Sequence, residues 1–242
     1  MSTAGLVIIG DEVLSGKVED KNTPYLLPEL RRQGVDVGRV HVIPDDVDLI
    51  AEEVRSFSAR FDYVLTSGGV GPTHDDVTME GVARAFGVRL TTHEAMKALL
   101  LQALRDTEAN ASQLKMCELP EGAQLIQSGD LWFPLVYIRN VYIFPGIPRL
   151  LQAKFESARD CFKGSPFYLR RIFMSCIESD IAQDLHDLLK EFPELQLGSY
   201  PRTTEGDYRT MVTLESRDVA YVNKAVDSLI DRLPAASLLR VE

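Results

Sequence analysis

The chain has 242 residues, 45% of them hydrophobic and 26% charged, which suits one large domain, or a main domain with a smaller one, around a sizeable core. Its formal net charge of −10 argues against an extended nucleic-acid surface or a surface for anionic membranes, so an anionic ligand needs local compensation from backbone amides, a metal or a few basic side chains. Cys117, Cys161 and Cys176 show neither a disulfide framework nor metal-ligand spacing and read as buried thiols of a reducing compartment. No apolar run is long enough to span a bilayer, the first residues run into a strand-like segment without a signal peptide, and a cytoplasmic location is expected.

In chain order, residues 5–9 form a short apolar run ending at Gly10-Asp11-Glu12, a strand followed by a polar loop. Thr23-Pro24 opens a helix, with Thr23 a candidate cap and proline at the first helical position, and Gly34 closes it. Residues 35–43 read as the next strand, ending at Pro44-Asp45-Asp46. Val47, Ile50, Val54, Phe57 and Phe61 then recur at three- and four-residue steps, an amphipathic helix whose acidic face around Glu52-Glu53 is solvated. A third strand, residues 63–66, leads into Ser67-Gly68-Gly69-Val70-Gly71-Pro72-Thr73-His74-Asp75-Asp76-Val77-Thr78, and residues 79–86 are helical. Alternating strands and helices predict a parallel sheet with right-handed crossovers, whose ligands bind outside the strand carboxyl ends.

The glycine-rich segment is the most informative. Glycines at a strand end let backbone N–H groups approach an anion, and the next helix points its positive end there. Two aspartates at the loop's end would repel a bare phosphate and make sense with a divalent cation between them and the ligand. The loop lacks the Lys-Ser/Thr pair of a P-loop, and His74 stands where a dinucleotide fingerprint needs its third glycine. A plain turn is the competing reading of these glycines taken alone. The sheet edge collects Asp11, Glu12, Asp45, Gly68, Gly69, Gly71, Asp75 and Asp76, and that convergence favours a phosphorylated-ligand site.

Further on, residues 94–105 look helical and 107–113 form a polar connection. Leu131–Ile138 and Val141–Phe144 flank Arg139-Asn140 as a hairpin, and the second strand ends in Pro145-Gly146-Ile147-Pro148, either a close-approach loop or a simple connector to the helix over 150–162. A domain boundary is placed at Gly164-Ser165-Pro166, giving domains 1–164 and 165–242. The second reads as a small α+β module, βαββα: strands over 167–177, 195–200 and 210–214, helices over 179–191 and 219–233.

Gly10-Asp11-Glu12-Val13-Leu14-Ser15-Gly16, Asn22, Pro44-Asp45, the glycine loop through Asp76 and Phe144-Pro145-Gly146-Ile147-Pro148 form an ordered series that resembles the molybdopterin-binding superfamily of MogA, MoaB and CinA proteins, from about residue 4 to 161. Leu197-Gly198-Ser199-Tyr200-Pro201 resembles the small KH-like module of CinA-type proteins. The segments 57–61, 133–136 and 139–142 are similar to the N-terminal domain of eukaryotic-type FAD synthases, and Leu150-Leu151 stands where CinA proteins carry a Glu-Met-type pair. The resemblance implies a MogA/MoaB-like three-layer α/β domain with a mostly parallel sheet. It also implies metal-dependent hydrolysis of a nucleotide pyrophosphate, FAD to FMN and AMP first of all. The alternatives are CinA-like cleavage of ADP-ribose, a non-catalytic module holding molybdopterin or a flavin nucleotide, and molybdopterin adenylylation.

The resemblance does not reach the adenylyl-transferring domain of FAD synthases or the deamidase domain of many CinA proteins, so neither activity is expected. The aspartates that MogA-type proteins use for metal and catalysis align with Asp45 and Asp76. On this reading Asp76, with Asp45 or Asp75, holds Mg²⁺, Mn²⁺ or Co²⁺, and Asp11 or Glu12 orients water or a ribose hydroxyl. Amides of Gly68, Gly69 and Gly71 hold phosphate oxygens, while Asn22, Ser67, Thr73, Thr78, Pro145 and Gly146 line the ligand. The competing readings make Asp76 and Asp45 helix caps, His74 solvent-facing, and Trp132, Phe133 and Tyr137 core residues instead of a stacking platform. A homo-oligomer, dimer or trimer, is expected, with no nucleic acid and no membrane as partner.

Overall fold

A computed structural model describes residues 1–105, 108–129, 131–204, 206–234 and 236–242. They fall into two compact units, Met1–Ser165 and Pro166–Glu242.

The first unit is built on a sheet in the order β2-β1-β3-β8-β7-β6: β1 Thr3–Ile9, β2 Asp36–Ile43, β3 Tyr63–Ser67, β6 Gln124–Ser128, β7 Leu131–Ile138 and β8 Val141–Phe144. The pairs β1–β2, β1–β3 and β3–β8 are parallel, whereas β7 runs antiparallel to both of its neighbours. The expected parallel sheet is therefore present with one reversed strand, supplied by the β7–β8 hairpin. β1 shows why the centre reads as an unbroken apolar run. Ala4 and Leu6 join one core with Leu26, Leu30, Leu151, Phe155 and Phe162, while Val7 and Ile9 join the other with Ile50, Val54, Phe57, Val82 and Met96. Period-two alternation puts successive side chains on opposite faces, and both faces are covered by helices, giving three layers.

The connecting helices are α1 Asp11–Leu14, α2 Asn22–Arg32, α3 Val47–Arg60, α4 Thr78–Phe86, α5 Glu94–Leu104, α6 Ala111–Lys115 and α7 Pro148–Ala158. Several departures from the sequence reading have local causes. The loop after β1 contains one helical turn, α1, closed by Ser15 N–H to Asp11 O at 2.9 Å. α2 begins one residue before Thr23, and Asp20, not Thr23, takes the free amides of Asn22 and Thr23 at 2.9 and 3.0 Å. The connection expected over 107–113 starts at Thr107, outside the described residues, and its remainder enters α6 through a capping box between Asn110 and Gln113. β4 Leu90–Thr92 and β5 Glu118–Pro120 pair as a short antiparallel ladder that three-residue strands could not announce.

The second unit runs β9 Tyr168–Met174, α8 Glu178–Glu191, β10 Gln196–Pro201, β11 Thr210–Ser216, α9 Val219–Arg232 and β12 Leu238–Val241. Its sheet order is β10-β11-β9-β12, antiparallel throughout, the order of a split βαβ fold. It carries one strand more than the βαββα reading, because Leu238–Val241 is a mostly exposed edge with no alternation to betray it. Ile172, Met174, Ile181, Leu185, Val212, Leu214, Val222 and Leu229 form its own core. Of the three cysteines only Cys117 is buried, where burial pushes its thiol up; Cys176 is half-buried and Cys161 exposed, which corrects the expectation of three buried thiols. Among the described residues no helix is long and apolar enough to cross a membrane.

Candidate ligand site at the strand ends

Because β2, β1, β3 and β8 are parallel neighbours, the segments after Ile43, Ile9, Ser67 and Phe144 leave the sheet along one edge. Hydrogen bonds between these segments fix their spacing. Gly10 N–H donates to Ile43 O at 3.0 Å, and Asp11 N–H donates to the Asp45 carboxylate at 2.9 Å. Gly68 N–H donates to Phe144 O at 3.1 Å. Asn22 joins two loops, its amide donating to Ser67 Oγ at 2.8 Å and to Gly146 O at 2.7 Å. Thr78, fully buried, donates its hydroxyl to Gly68 O at 2.9 Å, and its N–H goes to Gly69 O at 3.0 Å.

The glycines are required by this packing. Gly68 has φ +113° and a Cβ there would lie 2.0 Å from Ile9 O; Gly69 has φ +61° and a Cβ would meet the Thr78 hydroxyl at 2.4 Å. Gly146 packs its backbone against Gly68. The loop is thus pressed onto β1 by contacts that no side chain survives. The Gly68 amide is taken by Phe144 and cannot serve a ligand, a correction to the expected set of three donors. The amides of Gly69, Val70 and Gly71 have no acceptor among the described residues.

A cavity of about 560 Å³ opens over this edge. It brings together Glu12, Gly68, Gly69, Gly71, Asp76, Pro145 and Gly146 from the expected set, against an apolar wall that includes Val18, Met116, Leu131, Trp132, Phe133 and Leu150. Asp11, Asn22, Asp45, Ser67, Thr73, Asp75 and Thr78 do not line it. Asn22 and Ser67 act from beneath as staples, although buried Asn22 Oδ1 has no partner among the described residues. Trp132 and Phe133 meet edge to face at 5.5 Å and do line the cavity, whereas Tyr137 stacks on Tyr142 and does not.

The two aspartates aligned with the superfamily are not helix caps. α3 is capped by Asp46, which accepts from the amides of Asp48 and Leu49, while Asp45 turns back to Asp11. α4 has no side-chain cap; Asp76 accepts instead from the Thr73 amide at 2.8 Å and from its hydroxyl. Lys115 Nζ donates to Thr73 O at 2.5 Å and ties this turn to α6. Burial, reinforced by the charges of Glu12, Asp11 and Asp75, raises the Asp45 carboxyl above the usual range, and the Asp11 amide only partly offsets this. His74 is almost fully exposed and lies 3.8 Å from Asp75. Among the described residues no three His, Cys, Asp or Glu side chains come together as a metal cluster, so Asp45, Asp75 and Asp76 are not assembled as one ligand set.

Lys154 went unread in the sequence. It sits on α7 and lines the cavity, yet it is only 1% exposed and donates to Phe133 O at 2.5 Å and Pro134 O at 2.6 Å. Burial pulls its pKa down from lysine's ordinary 10.5 to about 7. A signal existed: Lys154 falls at helical spacing within the buried stripe Leu151, Phe155 and Ala158.

With this geometry in view, comparisons with known proteins agree on the class. Residues 5–159 match the family model "Probable molybdopterin binding domain", and residues 166–242 match "FAD synthase, middle domain". The chain belongs to the molybdopterin-binding superfamily of MoaB, MogA and CinA-like proteins. It is 34% identical over 221 residues to a protein of Archaeoglobus fulgidus, covering 91% of this chain and 93% of that one. It is 33% identical to a probable FAD synthase of Caenorhabditis elegans, covering 96% of this chain but 50% of the relative, so it spans about half of that protein. A solved CinA structure from Thermoplasma acidophilum superposes with a TM-score of 0.63 at 28% identity, covering 66% of this chain and 98% of that one.

Proposed function

We propose that this protein hydrolyses a nucleotide pyrophosphate with the help of a divalent cation, FAD to FMN and AMP. The observation that carries the reading is the cavity itself. It sets three acceptor-free amides, of Gly69, Val70 and Gly71, beside the carboxylates of Glu12 and Asp76 and next to an apolar, aromatic wall. Amides suit the non-bridging phosphate oxygens, and the wall suits a flat ring. The matches to an FAD synthase domain and to FAD synthase relatives support a flavin nucleotide as substrate.

The carboxylates present fit a cation. Asp45 is held above its usual range partly by its acidic neighbours, a repulsion that a cation relieves, and one oxygen each of Asp45 and Asp76 has no donor among the described residues. Magnesium and manganese accept one or two carboxylates together with substrate phosphates, so a cluster of three protein ligands is not required. Asp45 and Asp76 would hold the ion; when bound, it supplies charge neutralisation and polarisation of the phosphoryl group. The chain's own contributions would be the amides that fix the phosphate oxygens and Glu12, which lines the cavity and would orient the attacking water. Water's oxygen joins one phosphorus, the P–O bond of the anhydride breaks, and the proton is released to a carboxylate and then to solvent.

A second reading, a binding module without turnover, rests on the engagement of Asp76 by Thr73, which a structural turn would also show. The test is incubation of the protein with FAD and Mg²⁺, Mn²⁺ or Co²⁺, with products separated by chromatography. FMN and AMP in equal amounts support hydrolysis; FAD that binds but stays intact supports the module.

A further inference from the structure

The ammonium of Lys154 is buried without a carboxylate: among the described residues its polar partners are two backbone carbonyls, and its nitrogen lies 4.3 Å from the centroid of the Phe133 ring. The carbonyls are available because the ladder is broken there. β6 and β7 pair through Ile126 with Leu135 and Ser128 with Leu131, so residues 132–134 bulge opposite Gln127, and Pro134 has no N–H to offer. A structural role for Lys154, satisfying the bulge, accounts for two of its three N–H groups. The Phe133 face also attracts the ammonium, but no carboxylate neutralises it, and a buried cation without one is costly. Nor does a structural role account for the placement of Lys154 on the wall of the cavity that Trp132, Phe133 and Leu150 also line.

We propose that Lys154 is a specificity-determining residue: it donates to a carbonyl acceptor on the edge of a planar ring held against Trp132 and Phe133, and so selects a flavin ring over ligands that carry only sugar and adenine. This assignment rests on the proposed flavin-nucleotide reading and deepens it. With the phosphates at the amides of Gly69 to Gly71, the ring would lie against the apolar residues that line the same cavity. A carbonyl oxygen turned toward Lys154 meets a donor that water does not reach, and a ring without such an oxygen leaves the charge uncompensated.

The test is equilibrium binding read by quenching of Trp132, the only tryptophan in the chain. Riboflavin, FAD, ADP-ribose and acridine (a ring of similar size without carbonyls) are titrated into the full chain and into Lys154→Met and Lys154→Gln. The wild-type protein is expected to bind riboflavin at least about 10-fold more tightly than acridine, the discrimination of one hydrogen bond to a charged donor. Lys154→Met should lose at least about 10-fold in affinity for riboflavin and FAD while ADP-ribose stays within about twofold, with Lys154→Gln intermediate. Equal wild-type affinity for riboflavin and acridine overturns the proposal, whatever the variants do. So does unchanged riboflavin binding in Lys154→Met, or an equal loss for FAD and ADP-ribose, which is the signature of a purely structural lysine. Riboflavin has no phosphoanhydride, so a Lys154-dependent riboflavin site without AMP release leaves this proposal standing and removes the hydrolase; AMP release with indifferent Lys154 variants does the reverse.

Discussion

Asp45 and Asp46 follow one another in the sequence, yet one caps a helix and the other holds a loop. Asp46 satisfies two amides at the start of α3, so Asp46→Ala should cost about 1 kcal/mol in urea unfolding. Asp45→Asn keeps an acceptor for the Asp11 amide and removes a charge that burial and acidic neighbours disfavour. Stability at pH 7 should be unchanged or slightly higher, while cation-dependent activity falls. Asp76→Asn likewise keeps an acceptor for Thr73, and AMP release should drop by about 100-fold or more with the far-ultraviolet spectrum unchanged. Lys154 gives a pH signature. Its folded pKa of about 7 lies below the ordinary 10.5, so between these values the unfolded chain binds more protons and stability rises with pH. Urea unfolding at pH 6.5 and 9.5 should show that rise in the wild-type protein and a flatter profile in Lys154→Met.

At the scale of elements, the parallel strands were legible because burial on both faces makes them continuous apolar runs, and α3 because its stripe repeats at three- and four-residue steps. The glycine loop was legible as well, since the close approach of Gly68 to Ile9 and of Gly69 to Thr78, both at positive φ, admits no other residue type. Gly68→Ala should therefore abolish ligand binding and lower stability by more than the ~1–3 kcal/mol of a strained backbone position. Gly87→Ala, at φ +65° with nothing within 4 Å, should cost only about 1 kcal/mol. β4, β5 and α6 are too short for a period to show, and β6 and β12 are too polar or too exposed to alternate cleanly. The reversal of β7 and its bulge had one visible sign, Pro134 inside a strand.

Across the whole molecule, two units each close a core of their own, and the candidate site belongs to the first. The acidic and glycine residues of that site were readable because topology alone sends four strand ends to one edge. What the sequence hid was tertiary: which aspartate caps and which does not, that the Gly68 amide is already taken, and that a lysine in a helix faces inward. Those facts depend on contacts between segments separated along the chain, as when Asp45 meets Asp11, Gly68 meets Phe144 and Lys154 meets Phe133. The central claim, a cation-dependent flavin-nucleotide hydrolase, is tested most directly by AMP release from FAD and from ADP-ribose in parallel, with Mg²⁺, Mn²⁺ or Co²⁺ and with Asp76→Asn as control. The account predicts AMP from FAD in preference to ADP-ribose, dependent on the cation and lost in the variant. AMP from ADP-ribose alone, or none from either ligand while FAD still binds, would contradict it.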